Sequence, residues 1–369
     1  MHVCIDYRPA LHESTGVGTY VRGLLAALVS AYPDDRHTAF SASWKHRLGP
    51  VPGAHVRDVR LPVRLVDWLW HRRRWPPVEH WVGALDIAHS PSPMLVPASH
   101  ARRVITVHDC YFARQPDDVS GAVRRDYVPL VADSLRRADA VIAVSETTKQ
   151  ELQELFDVAP ERIHVTYNGV DSTYGPGNAA EKRAARATLR VERPYLLFVG
   201  RRDPRKDLGT LMAGFAQLAT HHPDLGLLLV GPDGYRWEEV WSAAAPIVRQ
   251  RSRCMPHQPS AQLAALYDGA EALVLSSRWE GFGLTAVEAM ASGTPVVSSR
   301  AGALPEVLGD AATWFDIGDA EGLAQACDQV ISDSAYRREL VASGTRCAAR
   351  YTWQNAAERT RDVYQQLLA

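Results

Sequence analysis

The five cysteines, Cys4, Cys110, Cys254, Cys327 and Cys347, are odd in number, scattered, and include no C-x-x-C pair. That scarcity speaks against a disulfide framework and against a zinc site, and it fits a reduced, cytoplasmic protein. Net charge is missing too. Forty-one Lys and Arg against 42 Asp and Glu leave −1, so the chain as a whole exerts no bulk pull on nucleic acid or anionic membrane. The opening apolar run, Met1-His2-Val3-Cys4-Ile5, stops at Asp6 and is too short for a signal peptide or a membrane span. Low-complexity tracts and short repeats are likewise lacking. What is present is an ordinary globular composition, 46% hydrophobic and 22% charged, spread over 369 residues. That length exceeds what one core organises and predicts two domains.

Short apolar runs alternate with helical stretches. Val3–Ile5 reads as a strand, followed by a Gly-containing turn and an amphipathic helix from Gly18 to Ala31. Asp86–His89, Arg103–Val107 and Ala140–Val144 read as further strands. Residues 118–138 have helical spacing (Val123, Tyr127, Leu130, Val131, Leu135), and Ser145 looks like the N-cap of a helix ending at Phe156. The segment Tyr174–Arg193, rich in Gly, Ala and charge, reads as the linker. The pattern then restarts, with strands at Tyr195–Val199, Leu225–Val230, Ala272–Leu275 and Pro295–Ser298. Helices are expected at 207–221, 235–250, 260–269 and Leu284–Ser292, and a last one at Trp353–Leu368. The class is α/β, with two doubly wound, Rossmann-like domains facing each other across a cleft. Such sheets bind ligands at the carboxyl ends of their strands.

The strongest chemical signal is Ser277-Arg278-Trp279-Glu280-Gly281-Phe282-Gly283-Leu284-Thr285-Ala286-Val287-Glu288-Ala289-Met290. A strand ends, a Gly-bracketed turn follows, and a helix begins near Leu284, whose first amides make an anion site. Glu280 lies in the turn and Glu288 in the helix among apolar neighbours, a setting that disfavours an idle charge. Glu280 and Glu288, separated by seven residues, closely resemble the E-x7-E signature of the retaining family 4 glycosyltransferases, which have the GT-B fold. The resemblance extends along nearly the whole chain. It implies that Glu288 binds the donor ribose, that Glu280 lies beside the transferred sugar, and that the amides of Phe282, Gly283 and Leu284, after Gly281, hold the diphosphate.

The second cluster, Gly200-Arg201-Arg202-Asp203-Pro204-Arg205-Lys206, follows a strand directly. The family's G-R-x-x-x-x-K pattern picks Arg201 and Lys206 as the diphosphate clamp; Arg202 and Arg205 are expected to face solvent. No Asp-x-Asp motif occurs in the chain. Two cations and a helix terminus can replace a divalent ion, so no metal and no other cofactor are expected, and the nucleotide sugar is a co-substrate.

The third cluster, Gly16-Val17-Gly18-Thr19-Tyr20, lacks the third glycine of a dinucleotide loop, since position 21 is Val21. Similarity to the family's G-x-G-x-Y loop implies that Gly16 and Gly18 let backbone approach the donor phosphate and acceptor. The strand ending in Val107 delivers His108. The family's matching histidine implies contact with the donor sugar or acceptor at the reacting centre, with Asp109 orienting the ring. Tyr167-Asn168-Gly169-Val170-Asp171 matches the family's N-G-V-D turn, and Met255 lies where the family's base-reading backbone would be.

Residues 36–74 hold nine Lys and Arg against Asp58 and Asp67, interleaved with or followed by Trp68, Trp70, Trp75 and Trp81. Basic and Trp-rich is the composition of a membrane-interface surface, here within residues 36–81. No nucleic-acid motif accompanies it, and no nucleic-acid partner is expected. The expected layout is an acceptor domain over 1–185, a donor domain over 186–350, and a helix over 351–369 crossing back to the first. The first-domain pattern (Gly16–Tyr20, His89-Ser90-Pro91, Thr106–Asp109) looks most like bacterial polysaccharide mannosyltransferases. That implies mannose from GDP-mannose and a glycan or lipid-linked acceptor, at the inner face of the membrane. The alternatives are a UDP-hexose donor with a glycolipid or small-molecule acceptor, a sugar-nucleotide epimerase of the same fold, and an inactive scaffold subunit.

Overall fold

The computed structural model describes residues 1–11, 15–118, 126–175, 179–191 and 194–369. Residues 119–125 of the helix expected over 118–138 lie outside them; the described part forms a helix over Val128–Arg137. The chain divides into two compact units, one of Met1–Gly169 with Thr352–Ala369, the other of Val170–Tyr351.

The first unit is built on seven strands, β1 (His2–Asp6), β2 (Arg36–Ala42), β3 (His55–Val59), β4 (Ile87–Ser90), β5 (Arg102–Val107), β6 (Ala140–Ala143) and β7 (Ile163–Val165). They pair in the order β3-β2-β1-β4-β5-β6-β7, every pair parallel. The second unit has β8 (Tyr195–Val199), β9 (Gly226–Val230), β10 (Ser252–Met255), β11 (Ala272–Leu275), β12 (Val296–Ser299) and β13 (Thr313–Phe315) in the order β10-β9-β8-β11-β12-β13, again all parallel. Parallel strands covered on both faces must be apolar throughout, and Tyr-Leu-Leu-Phe-Val in β8 is buried at every position. Leu196 and Phe198 of β8 and Leu229 of β9 share one core with Leu211, Phe215 and Leu218 of the helix Leu208–His221. In both sheets the chain starts in the middle, winds one way, and then crosses to wind the other. The switch points therefore lie between β1 and β4 and between β8 and β11.

The caps follow from sequence. Thr15 Oγ1 accepts the Gly18 amide at 3.0 Å to open the helix Gly16–Ala31, and Ser145 Oγ accepts the Thr148 amide at 3.0 Å to open Glu146–Phe156. The last helix, Trp353–Leu368, packs on Gly16–Ala31.

Three readings are corrected. The division falls at Gly169/Val170, not near 185. The segment read as linker carries a helix, Ala179–Thr188, held to the second unit by Lys182 and Arg186, which pair with Asp268 at 3.3 and 2.8 Å. The helix expected over 235–250 is two, Trp237–Ala243 and Pro246–Arg251, because Pro246 cannot continue the first.

Candidate active site

In the second unit, the loops after β8 and β11 flank the switch point and are stitched together. The Arg278 amide donates to the Arg205 carbonyl at 2.8 Å, and Ser276 Oγ donates to the Lys206 carbonyl at 2.7 Å. This brings Lys206 Nζ into a buried ion pair with Glu280 Oε1. Ser277 Oγ donates to the same oxygen at 2.6 Å, and Arg205 lies 3.5 Å from Oε2. Gly302 supports Glu280 from behind. Its φ is +54°, and a Cβ there would sit 2.3 Å from the Glu280 carbonyl oxygen, so only glycine allows this approach. Burial alone would raise the Glu280 pKa. Lys206, then Arg205, together with the Lys206 and Ser277 hydrogen bonds, outweighs burial and holds it below the usual carboxylate range.

Glu288 is the fifth residue of the helix Leu284–Ala291, whose N-cap, Gly283, has φ +92° and offers no side-chain cap. The amides of Ala286 and Val287 bond back to the Gly283 carbonyl, so those of Leu284 and Thr285 precede the helix's own hydrogen-bond ladder. Glu288 is buried, and Tyr267 donates its hydroxyl to Oε2 at 3.0 Å. Burial pushes its pKa up to about 7, against the pull of the Tyr267 hydrogen bond and with help from the Asp171 charge. Glu288 is therefore poised between neutral and charged forms near neutrality, while its neighbour in the motif stays ionised.

Arg202, expected to face solvent, is buried instead. Arg201 has a side chain 63% exposed and sits 3.3 Å from Asp203. Arg202 extends the sheet by a parallel bridge to Asp233, donates to that carboxylate from Nε at 2.9 Å, and stacks over Trp237 at 5.1 Å. Arg205 is turned to Glu280 rather than to solvent. Met255 ends β10, buried, and its carbonyl accepts the Gly231 amide at 2.9 Å. Ser277 and Tyr267 were not singled out from sequence. Ser277 stands three residues before Glu280 and was visible as a short-range partner; Tyr267, 21 residues from Glu288, left no local signal.

His108, Gly16 and Gly18 belong to the first unit. Gly18 is buried and its amide is taken by Thr15, while Gly16 is exposed at the helix start. His108 follows β5, and its Nε2 lies 2.9 Å from the Pro91 carbonyl. A carbonyl only accepts, so Nε2 carries the hydrogen and Nδ1 the lone pair. Burial lowers the His108 pKa against the Pro91 carbonyl and Asp109, which favours the neutral ring. Asp109 accepts the Tyr111 amide at 3.2 Å, and the Pro91 carbonyl holds the imidazole at Nε2.

Residues 14–174 match the family described as Glycosyltransferase Family 4, and residues 180–346 match the one described as Glycosyl transferases group 1. Glycogen synthase of Mycobacterium tuberculosis is 31% identical over 313 residues, 83% of this chain and 72% of that protein. O-antigen chain mannosyltransferase B of Escherichia coli is 29% identical over 284 residues, 76% of this chain and 74% of that protein. Among solved structures, sucrose-phosphate synthase from Thermosynechococcus elongatus superposes with a TM-score of 0.78 at 22% identity, covering 100% of this chain and 98% of that one. Anabaena HepE in complex with UDP-glucose superposes with a TM-score of 0.74 at 16% identity, covering 99% of this chain and 100% of that one. The paired Rossmann-like units, the motif geometry and these relatives agree: the chain belongs to the family 4 glycosyltransferases of GT-B fold and is a sugar-transferring enzyme.

Proposed function

We propose that the enzyme moves a hexose from a nucleoside-diphosphate sugar to a glycan or lipid-linked glycan, with retention at the anomeric carbon and without a metal. The observation that carries this reading is the buried Lys206–Glu280 pair beside the Gly-capped helix of Glu288, at the switch point of the second sheet. Lys206, Arg201 and the amides around Gly283 and Leu284 neutralise charge as the bond from the anomeric carbon to the diphosphate breaks. Glu288 accepts the ribose hydroxyls. Ionised Glu280 holds Lys206 in place and faces the positive character that develops on the sugar. The acceptor hydroxyl attacks from the face the diphosphate leaves, and its proton passes to the departing phosphate oxygen. Neutral His108 offers Nδ1 as an acceptor to a sugar hydroxyl.

GDP-mannose is the first donor to test, given the mannosyltransferase relative, and a UDP-hexose the second, given the fold neighbour solved with UDP-glucose. Thermal unfolding with GDP, UDP and ADP, each with and without chelator, decides between them, because a ligand of the folded state raises Tm according to its affinity. A shift by one nucleotide that chelator leaves unchanged supports both the donor class and the metal-free reading. No shift by any of them brings the scaffold reading forward.

Membrane contact is part of the proposal, on a narrower surface than residues 36–81. Trp70 is fully buried against Phe40, with Trp81 packed beside it, so these two belong to the core. Trp68 and Trp75 are 50% and 60% exposed, and Val63 and Leu65 are exposed beside Arg64, Arg72 and Arg73. No helix among the described residues is long and apolar enough to cross a membrane, so the contact is interfacial. The native chain is expected to sediment with phosphatidylglycerol vesicles, and a W68S/W75S variant to lose about tenfold in partitioning. A native chain that stays in the supernatant at low salt would sink this part.

A further inference from the structure

The last helix reaches His108 by a chain of buried hydroxyl and imidazole groups. The Tyr364 hydroxyl lies 2.6 Å from His89 Nδ1, His89 Nε2 lies 2.8 Å from Thr106 Oγ1, and Thr106 Oγ1 lies 3.0 Å from the Tyr20 hydroxyl. All four residues are buried to 1% exposure or less. Burial, and after it the nearby His108 ring, lowers the His89 pKa to about 3, so the imidazole is neutral and has a single N–H. With one N–H, His89 donates to one of its two partners and accepts from the other, so it joins Tyr364 and Thr106 in a single hydrogen-bonded chain that ends at Tyr20.

Two consequences converge on His108. The Tyr20 ring stands edge-on to the His108 ring, with centroids 4.9 Å apart at 79°. The same Tyr20 is pressed by Trp353, the first residue of the last helix, at 6.1 Å. His89 also lies in β4, one residue before its end at Ser90, and two residues on, Pro91 presents the carbonyl that takes the His108 Nε2 hydrogen at 2.9 Å. The ring of Tyr20, whose hydroxyl is bonded to the Thr106 that His89 also holds, and the Pro91 carbonyl, two residues after His89, thus both contact the His108 ring.

We propose that Tyr364, His89 and Thr106 are positioning residues for His108, through which the last helix of the chain holds that ring in its working orientation. The proposal rests on the reading of His108 as a group at the reacting centre. It is tested on the full chain with GDP-mannose, or with UDP-glucose if UDP is the nucleotide that stabilises the fold. Tyr364→Phe removes one hydroxyl and keeps the ring. It should lower kcat about tenfold, leave the donor KM within about twofold, and leave nucleotide binding unchanged, with the His108 imidazole signals shifted in the NMR spectrum of histidine-labelled protein. Thr106→Val should behave alike and Thr106→Ser should restore activity; this pair decides if Tyr364→Phe unfolds. Inactive His108→Ala together with full kcat in Tyr364→Phe or Thr106→Val overturns the positioning role alone. Full activity in His108→Ala overturns the reading of His108 and the proposal with it.

Discussion

Lys206→Met is expected to lower turnover by about 10^2–10^3-fold and, separately, to destabilise the fold by about 3 kcal/mol. The two losses have different origins. Turnover falls because the cation that neutralises the leaving diphosphate is gone. Stability falls because Glu280, buried and held ionised, loses its nearest partner and is left to Ser277 at 2.6 Å and Arg205 at 3.5 Å. Glu280→Gln on its own removes the countercharge of the buried Lys206 ammonium. The double variant K206M/E280Q removes both charges, so it should recover most of the stability while staying inactive. Denaturant unfolding of the native chain, the two single variants and the double variant measures the coupling, and nucleotide release measures turnover. Additive stability losses would mean that the pair is not a buried unit. An active double variant would remove Lys206 and Glu280 from the chemistry.

Glu288→Gln is expected to do the opposite to the fold: stabilise it by up to about 3 kcal/mol at pH 8, with no gain at pH 4. The Glu288 pKa, about 7 in the folded chain against an ordinary 4.5, is raised. Below 4.5 both states hold the proton and the shift costs nothing. Between 4.5 and 7 only the folded state still holds it, so stability falls as pH rises; above 7 the cost is complete. Glutamine cannot ionise and can still accept the Tyr267 hydroxyl, so it escapes the cost. The same substitution should weaken nucleotide affinity strongly, since a charged carboxylate offers an accepting oxygen to each ribose hydroxyl and a neutral amide offers only one. In the native enzyme, affinity for GDP-mannose should rise between pH 6 and 8 as Glu288 charges, with no phosphate of that donor titrating in the window. The variant should show weak, flat binding. A variant no more stable than the native chain at pH 8 would contradict the raised pKa, and native-like binding would take the ribose away from Glu288. A site residue that weakens the fold it sits in is a common cost of function.

How much of this was legible beforehand depended on whether a partner lay nearby in the chain. The buried strands β1, β8, β9 and β11 are short apolar runs and were readable as such. β3, His-Val-Arg-Asp-Val, is half exposed at the sheet edge and looks like loop. The helix Ala179–Thr188 was missed because it anchors itself through Lys182 and Arg186 rather than through an apolar stripe. In the site, Glu280 and Glu288 share one short motif and stood out together. Lys206 was found by motif, but its direct contact with Glu280 depends on the crossover from β8 to β11. The burial of Arg202, expected at the surface, depends on Asp233, 31 residues downstream, and on Trp237.

The division of the chain has one more implication. The second unit is an uninterrupted stretch, Val170–Tyr351, set inside the first, and its two ends already touch, with the Val170 amide bonded to the Tyr351 carbonyl at 3.0 Å. In genetic terms it is a cassette. A crossover at these two joints exchanges the whole module without cutting either sheet. The last helix, with Tyr364 and Trp353, stays with the part that was not exchanged. Variation of one half against a constant other half is then a matter of recombination rather than of many compensating point changes.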